Sequence, residues 1–322
     1  LDVTPPRVEL AVLPTALERM PRLERALGAG PLYVKRDDLT GFGIAGNKAR
    51  ALEFLIGAAL ADDADVLVTG GSPASNFCAA AALAASRVGL ECELLVAGPT
   101  PSTLSTSLEL ATAAGARLLF DQVARREDLD AAVVNHAAGL RAAGRHPWPV
   151  PRGGATPIGS LGYAYAAREL SEQAGRQGVT VRTAVVATGS GGTQAGLVAG
   201  QVGFGLPWLV IGASVSRPAT MLADQLLRTA RACAKSIDLT PPTPEDVDLR
   251  DYRGPGFGIA SEEDRRNARL ALREEGLLLD DYYGAKAMTL FRTLLAEGAP
   301  TPAVFWHTGG VAAALAALKQ GA

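Results

Sequence analysis

The chain has 322 residues, 48% of them apolar and 20% charged, with a formal net charge of −2. That length allows one large domain or two of ordinary size, and the apolar content is enough for a packed core, which excludes a largely disordered chain. The near-neutral balance leaves no electrostatic footprint for nucleic acid or an anionic membrane surface.

Residues 1–30 carry several prolines and one short amphipathic stretch, Ala16 to Leu27. A short apolar strand, Leu32 to Val34, runs into Lys35-Arg36-Asp37-Asp38-Leu39-Thr40-Gly41-Phe42-Gly43-Ile44-Ala45-Gly46-Asn47-Lys48. That glycine-broken turn delivers Lys48 to the start of a helix, Ala49 to Ala61. Strand-loop-helix alternation follows: strand Val66 to Val68, the turn Thr69 to Asn76, helix Phe77 to Val88, strand Glu93 to Val96, helix Ser107 to Ala113, strand Arg117 to Phe120 and helix Glu127 to Ala143. Trp148 to Pro157, dense in Pro and Gly, is the strongest punctuation in the chain and reads as a return to another domain.

The theme then repeats with helix Ile158 to Gln173, strand Thr183 to Ala187, a glycine loop from Thr188, helix Gln194 to Val202, strand Trp208 to Ala213 and helix Ala219 to Ala234. Pro241 to Gly258 reads as a long surface excursion. Helices Ser261 to Glu275 and Tyr283 to Glu297 come next, then strand Ala303 to Trp306, the turn His307-Thr308-Gly309-Gly310 and a last helix. Continuous apolar strands alternating with helices predict an α/β fold of open parallel sheets covered on both faces.

No stretch reaches the ~18–20 apolar residues of a membrane span, and the first residues lack the layout of an export signal, so a cytoplasmic protein is expected. Cys78, Cys92 and Cys233 are an odd number without a Cys-x-x-Cys pair, which argues against a disulfide framework or structural zinc. His136, His146 and His307 are too widely spaced to suggest a metal site or a Ser-His-Asp triad.

Two features carry chemistry. Only five of the 31 basic residues are lysine: Lys35, Lys48, Lys235, Lys286 and Lys319. Arginine stays protonated and cannot form a Schiff base, whereas a deprotonated lysine can attack an aldehyde. A cation at a helix N-terminus also opposes the helix dipole, which marks Lys48. The second feature is Thr188-Gly189-Ser190-Gly191-Gly192-Thr193, a loop between strand and helix whose N–H groups suit a phosphate. A dinucleotide fingerprint fails because Gln194 takes the third glycine position and Trp208 to Ser214 offers no acid. A P-loop fails because Gly46-Asn47-Lys48-Ala49 lacks the Gly-Lys adjacency and the hydroxyl. A lysine with a lone phosphate cradle suggests pyridoxal 5′-phosphate.

Asp37 to Gly41 with Gly46 to Arg50, Thr69-Gly70-Gly71 with Ser75-Asn76, Gly153-Gly154 with Leu161-Gly162-Tyr163, Gly189 to Gly196, and His307 to Gly310 occur in one order over Leu32 to Gly310. In this the chain resembles the D-cysteine desulfhydrase and ACC deaminase family of tryptophan-synthase-β-like, fold-type-II pyridoxal-phosphate enzymes. The resemblance implies two α/β domains, a large cofactor domain from 1–47 and 155–322 and a smaller one from 48–154, with the active site in the cleft between them. It implies that Lys48 carries the cofactor as a Schiff base and moves the substrate α-proton, that Ser75 is a proton-relay or nucleophile-like hydroxyl, and that Ser75 and Asn76 also bind substrate. Asn76 is implied to bond the phenolic oxygen of the cofactor, Gly189, Ser190, Gly191, Gly192 and Thr193 its phosphate, and Thr308 to face its pyridine nitrogen. Tyr283 matches the tyrosine of the family's Asp-Pro-x-Tyr-x-Gly-Lys stretch, next to the substrate. A homodimer acting on a small amino acid is implied as well.

The chain departs from this pattern on the substrate side. The family's Gln-Ser-Asn-His reads Ala74-Ser75-Asn76-Phe77, and its Gly-x-Gly-Tyr-Gly reads Gly254-Pro255-Gly256-Phe257-Gly258. Gly284 stands where ACC deaminases have a glutamate, which argues against opening of a cyclopropane ring. Phe77 and Phe257 are therefore expected to line an altered substrate pocket. The expected reaction is α,β-elimination with cleavage of a C–S bond in D-cysteine or an S-substituted cysteine, giving pyruvate and ammonia through aminoacrylate. β-Replacement, racemisation and a non-catalytic cofactor-binding protein are the alternatives.

Overall fold

The structure, a computed structural model, describes residues 5–120, 123 and 125–320. Its strands are β1 (Leu17–Arg19), β2 (Leu32–Arg36), β3 (Val66–Gly71), β4 (Glu91–Val96), β5 (Arg117–Leu119), β6 (Pro147–Pro149), β7 (Thr183–Thr188), β8 (Leu209–Ser214), β9 (Asp248–Asp251) and β10 (Ala303–His307). They form two sheets, a four-stranded one in the order β5-β4-β3-β6 and a six-stranded one in the order β1-β2-β10-β7-β8-β9. Every pairing is parallel except β1 with β2.

The chain divides into two compact units, one from residues up to Ala11 together with Lys48–Gly159, the other from Val12–Asn47 together with the chain from Ser160 onward. The first unit holds the four-stranded sheet. Val66 and Val68 of β3 pack with Leu95 of β4, Leu119 of β5, and Leu129 and Val133 of the helix Leu129–Ala142. The helix Asn76–Val88 buries a run of alanines, whose small side chains let it sit close to neighbouring elements.

In contrast to the sequence reading, the residues up to Ala11 belong to this smaller unit. Glu53 explains why. Its buried carboxylate accepts the N–H groups of Leu10 and Ala11 at 3.0 and 2.9 Å and pairs with Arg7, and its carbonyl accepts the N–H of Val8. A buried carboxylate needs such donors, and a stretch of extended chain supplies them. The return crossing likewise falls at Gly159 rather than Gly154.

The second unit holds the six-stranded sheet. Leu32 and Val34 of β2, Ala303 and Phe305 of β10, Val185 and Ala187 of β7, and Ile211 and Ala213 of β8 alternate along their strands and share one core. Against it pack Ala287, Met288, Leu290, Phe291 and Leu294 of the helix Gly284–Ala296. This spacing of two along the strands is what one buried face of a sheet requires.

Three strands differ from the sequence reading. The stretch Ala16 to Leu27 splits at Met20 into β1 and the helix Pro21–Leu27, with proline in the first turn where its missing N–H costs nothing. β6 is the segment Pro147-Trp148-Pro149, an edge strand, which tolerates proline. β9, sequence Asp-Leu-Arg-Asp inside the expected surface excursion, pairs with β8 from Ile211↔Asp248 to Ser214↔Asp251. A charged edge strand carries little apolar signal. Among the described residues no helix is long and apolar enough to cross a membrane. Cys78, Cys92 and Cys233 are buried and unbridged, and burial pushes the Cys78 thiol up to about 11.

Candidate active site

In the smaller unit, Lys48 is the first residue of the helix Lys48–Ala61. Burial lowers its amine from 10.5 to about 8. Comparison with the other lysines is informative. Lys35 is buried and donates to Glu169 Oε1 at 2.5 Å, the Thr15 carbonyl at 2.7 Å and Gln173 Oε1 at 2.5 Å. Lys286 is buried and donates to two carbonyls, and Lys235 is exposed. The side chain of Lys319 lies outside the described residues. Lys48, partly buried, makes no hydrogen bond or ion pair among the described residues, unlike the buried Lys35 and Lys286, so its amine is open to a ligand.

Ser75 caps the helix Asn76–Val88, and its Oγ accepts the N–H of Cys78 at 3.2 Å. An oxygen at that position feels the positive end of the helix, which favours negative charge on it. The Ser75 side chain also hydrogen-bonds the Cys78 thiol. Asn76 is the next residue, partly buried, and its amide has no partner among the described residues. Phe77, expected from the sequence to line the substrate pocket, is 3% exposed, and a Cβ at Gly154 would come within 2.8 Å of its ring, so the ring packs beside the Gly153-Gly154 turn.

In the larger unit, Gly189 to Thr193 joins β7 to the helix Gly192–Gly203. Gly191 at its N-cap has φ 100°, a left-handed conformation that glycine alone adopts cheaply, and no side chain caps the helix. The first N–H groups are therefore free for an anion. Gln194, which broke the dinucleotide pattern, builds the cradle: its amide lies over Gly212, accepts from Thr188 Oγ1 at 2.8 Å and donates to the Asp248 carbonyl at 2.7 Å. Ser216 and Ser160 add hydroxyl bonds to the Gly189 and Gly192 carbonyls.

Three of the other expected residues belong to this unit. A Cβ on Gly189 would come within 2.9 Å of the Tyr283 ring, so that ring lies against the cradle. Phe257 meets the Tyr283 ring edge to face at 5.9 Å and the Tyr282 ring at 5.5 Å. Thr308 follows β10, partly exposed, its hydroxyl unpartnered among the described residues. Its carbonyl accepts the N–H of Asn47 at 2.9 Å, and Gly46 approaches so closely that a Cβ there would stand 2.5 Å from that carbonyl. Asn47 also reaches Thr193 through its side chain.

The sequence reading gave Asn47 no role. Its signal was its place directly before Lys48. Asp280 was also missed. Fully buried, it accepts the N–H groups of Tyr283 at 2.5 Å and Gly284 at 2.9 Å, and burial pushes its carboxyl up to about 6. His307 is buried as well. Its Nδ1 accepts the Gly309 N–H at 3.3 Å, which leaves the proton on Nε2, and burial lowers its pKa.

Each unit by itself carries groups of the kinds a pyridoxal phosphate needs: the larger one an uncapped helix end suited to a phosphate and the neutral Thr308 hydroxyl suited to a pyridine nitrogen, the smaller one the Lys48 amine suited to an aldehyde.

Comparison with known proteins agrees. Two D-cysteine desulfhydrases, from Klebsiella pneumoniae subsp. pneumoniae and Klebsiella pneumoniae strain 342, are each 36% identical to the chain, covering 97% of it and 96% of their own lengths. A crystal structure of an ACC deaminase homologue superposes with a TM-score of 0.89 at 34% identity, over 96% of this chain and 93% of that one. A threonine deaminase from T.th., at 19% identity and a TM-score of 0.62, shares the fold over 92% of each chain. The pyridoxal-phosphate dependent enzyme family matches residues 8–309, and the chain belongs to that family.

Proposed function

We propose that the enzyme catalyses α,β-elimination of an amino acid with a leaving group on its β-carbon, D-cysteine or an S-substituted cysteine, releasing pyruvate and ammonia. The observation that carries this reading is the unpartnered Lys48 amine, lowered to about 8. The 36% identity with D-cysteine desulfhydrases, over 97% of the chain, supports the substrate class.

The cofactor, when bound, supplies an electron sink that acidifies the substrate α-carbon. Lys48 would hold it and would take the substrate α-proton. A base near 8 is well matched to that transfer at neutral pH. Ser75, with its oxygen on a helix N-terminus, gives its proton to the departing group and is reprotonated from solvent. Gly189 to Thr193 would anchor its phosphate, Asn76 would bond its phenolic oxygen, and Tyr283 and Phe257 would wall the substrate. A neutral hydroxyl such as that of Thr308 would stabilise a protonated ring less than a carboxylate, which would favour leaving-group expulsion over return of the proton. The 2-aminoacrylic acid released adds water to give pyruvate and ammonia.

Incubation of purified enzyme with D- and L-amino acids bearing thiol, chloro, acetoxy or S-alkyl groups should yield pyruvate from at least one. Exchange of the α-hydrogen without pyruvate would instead identify a racemase, and no spectral change with any of them a binding protein. A cytoplasmic homodimer is proposed on the family resemblance, and sedimentation of the purified protein tests its assembly.

A further inference from the structure

Lys286 is fully buried in the larger unit, yet among the described residues it forms no ion pair. Its ammonium donates instead to the backbone carbonyls of Arg253 and Gly256, each at 2.5 Å. These two carbonyls belong to successive tight turns, closed by Gly256 N–H to Arg253 and Ile259 N–H to Gly256, both at 3.2 Å. The turns carry Phe257. The lysine itself stands in the first turn of the helix that Tyr283 caps. One buried cation thus joins the segment bearing Phe257 to the helix start bearing Tyr283, whose ring touches the Gly189 cradle.

A buried ammonium bonded to two carbonyls, with Asp264, Asp280 and Asp281 attracting it without pairing, is still costly compared with a methionine or leucine of the same reach. Packing alone does not call for it. Two turn carbonyls aimed at one point, however, repel each other unless a cation lies between them. Gly254 and Gly258, at φ 57° and 79°, and half-exposed surroundings leave the segment few apolar contacts with which to hold itself.

Building on the proposed function, we propose that Lys286 is a positioning residue for substrate: its ammonium pins the 253–258 turns, keeps Phe257 edge-on to Tyr283, and so fixes the wall that the substituent on the substrate β-carbon packs against. Lys286 touches neither cofactor nor substrate. Its influence passes through Phe257.

Lys286→Met tests this in the full-length protein. Amide hydrogen exchange on the cofactor-free protein should speed up about tenfold or more in residues 254–259, with the helix Gly284–Ala296 and the Gly189–Thr193 loop unchanged. In the loaded enzyme, KM for an S-alkyl cysteine should rise about tenfold while kcat holds within about twofold, the signature of lost uniform binding. Phe257→Leu should raise KM too, and adding Lys286→Met to it should change little further. Should Lys286→Met not fold, Gly254→Ala, which strains the same turn without touching the lysine, should give the same exchange and KM pattern. Unchanged exchange in 254–259, a fall in kcat with KM unaltered, or additive effects of the two substitutions would overturn the proposal. If no substrate of the panel yields pyruvate with the unaltered enzyme, the elimination reading fails, and the exchange result still decides whether Lys286 is the latch.

Discussion

The side-chain amide of Asn47 donates a 2.9 Å hydrogen bond to Thr193 Oγ1, at the end of the glycine loop. Its backbone N–H meanwhile bonds the Thr308 carbonyl at the same distance. The residue before Lys48 is therefore tied to both the loop proposed for the phosphate and the turn proposed for the ring nitrogen. Asn47→Ala removes one bond worth about 1 kcal/mol. We expect cofactor affinity to fall several-fold, measured by absorbance titration of cofactor-free protein, with Lys48 still reacting.

Lys48→Ala should abolish covalent attachment, and borohydride reduction followed by peptide mapping should find the pyridoxyl group on Lys48 of the unaltered chain only. Because the amine is lowered to about 8, the rate of cofactor loading should climb with pH through about 8 and level off above it. The same shift affects stability. Between about 8 and 10.5 the unfolded chain holds more protons than the folded one, so the cofactor-free protein should gain stability as pH rises across that window. Lys48→Met should flatten this rise in urea titrations.

Ser75→Ala should load cofactor normally yet lose turnover by about 10²-fold or more, the usual contribution of a proton-transfer group. Loss of the cap should cost about 1 kcal/mol of stability as well. Ser75→Thr, which keeps an oxygen for the Cys78 N–H, separates the two effects: unfolding should return towards the parent value. Equal turnover by Ser75→Ala and the parent would remove Ser75 from the mechanism.

Asp280 carries an unusual burden, a buried carboxyl raised from 3.8 to about 6 against the Tyr283 and Gly284 N–H groups. A raised acid favours the protonated folded state, so its contribution to stability declines as pH rises from 3.8 to about 6. Asp280→Asn, which keeps an oxygen acceptor without the charge, should remove that decline from acid denaturation curves. Asp280→Ala should be less stable than Asp280→Asn at every pH because both N–H groups lose their acceptor.

Asp37, next to the turn that delivers Lys48, accepts from Thr15 Oγ1 at 2.7 Å, the Tyr163 hydroxyl at 2.6 Å and Trp306 Nε1 at 2.9 Å. These donors come from three separate stretches of the larger unit. Tyr163→Phe should cost about 1–3 kcal/mol in chemical unfolding by leaving a buried carboxylate short of one donor. Cofactor spectra should be unaffected.

The strands and helices near Lys48 and the glycine loop were legible because each obeys a local rule. Val66 to Val68 and Thr183 to Ala187 are unbroken apolar runs, as buried parallel strands must be, and glycine marks the loops that follow them. Lys48 stood out in the sequence because lysine is rare in this chain and this one opens a helix, where a cation opposes the dipole. β6 and β9 were not legible, because at a sheet edge the partner's backbone makes the strand while the sequence remains rich in proline or charge.

Within the candidate site, residue types could be read one at a time but their partners could not. Lys35, Lys48 and Lys286 look alike on paper. Only the packed structure separates one amine clamped by Glu169 and Gln173, one by two turn carbonyls, and one with no partner among the described residues. Phe77 and Phe257 likewise replace polar residues of the family pattern, yet one ring is packed beside Gly154 and the other against Tyr283. The sequence determined which side chains were available and where the chain turns, because backbone preference acts over a few residues. Tertiary structure alone decided which of them meet, because burial and hydrogen bonding join groups far apart along the chain.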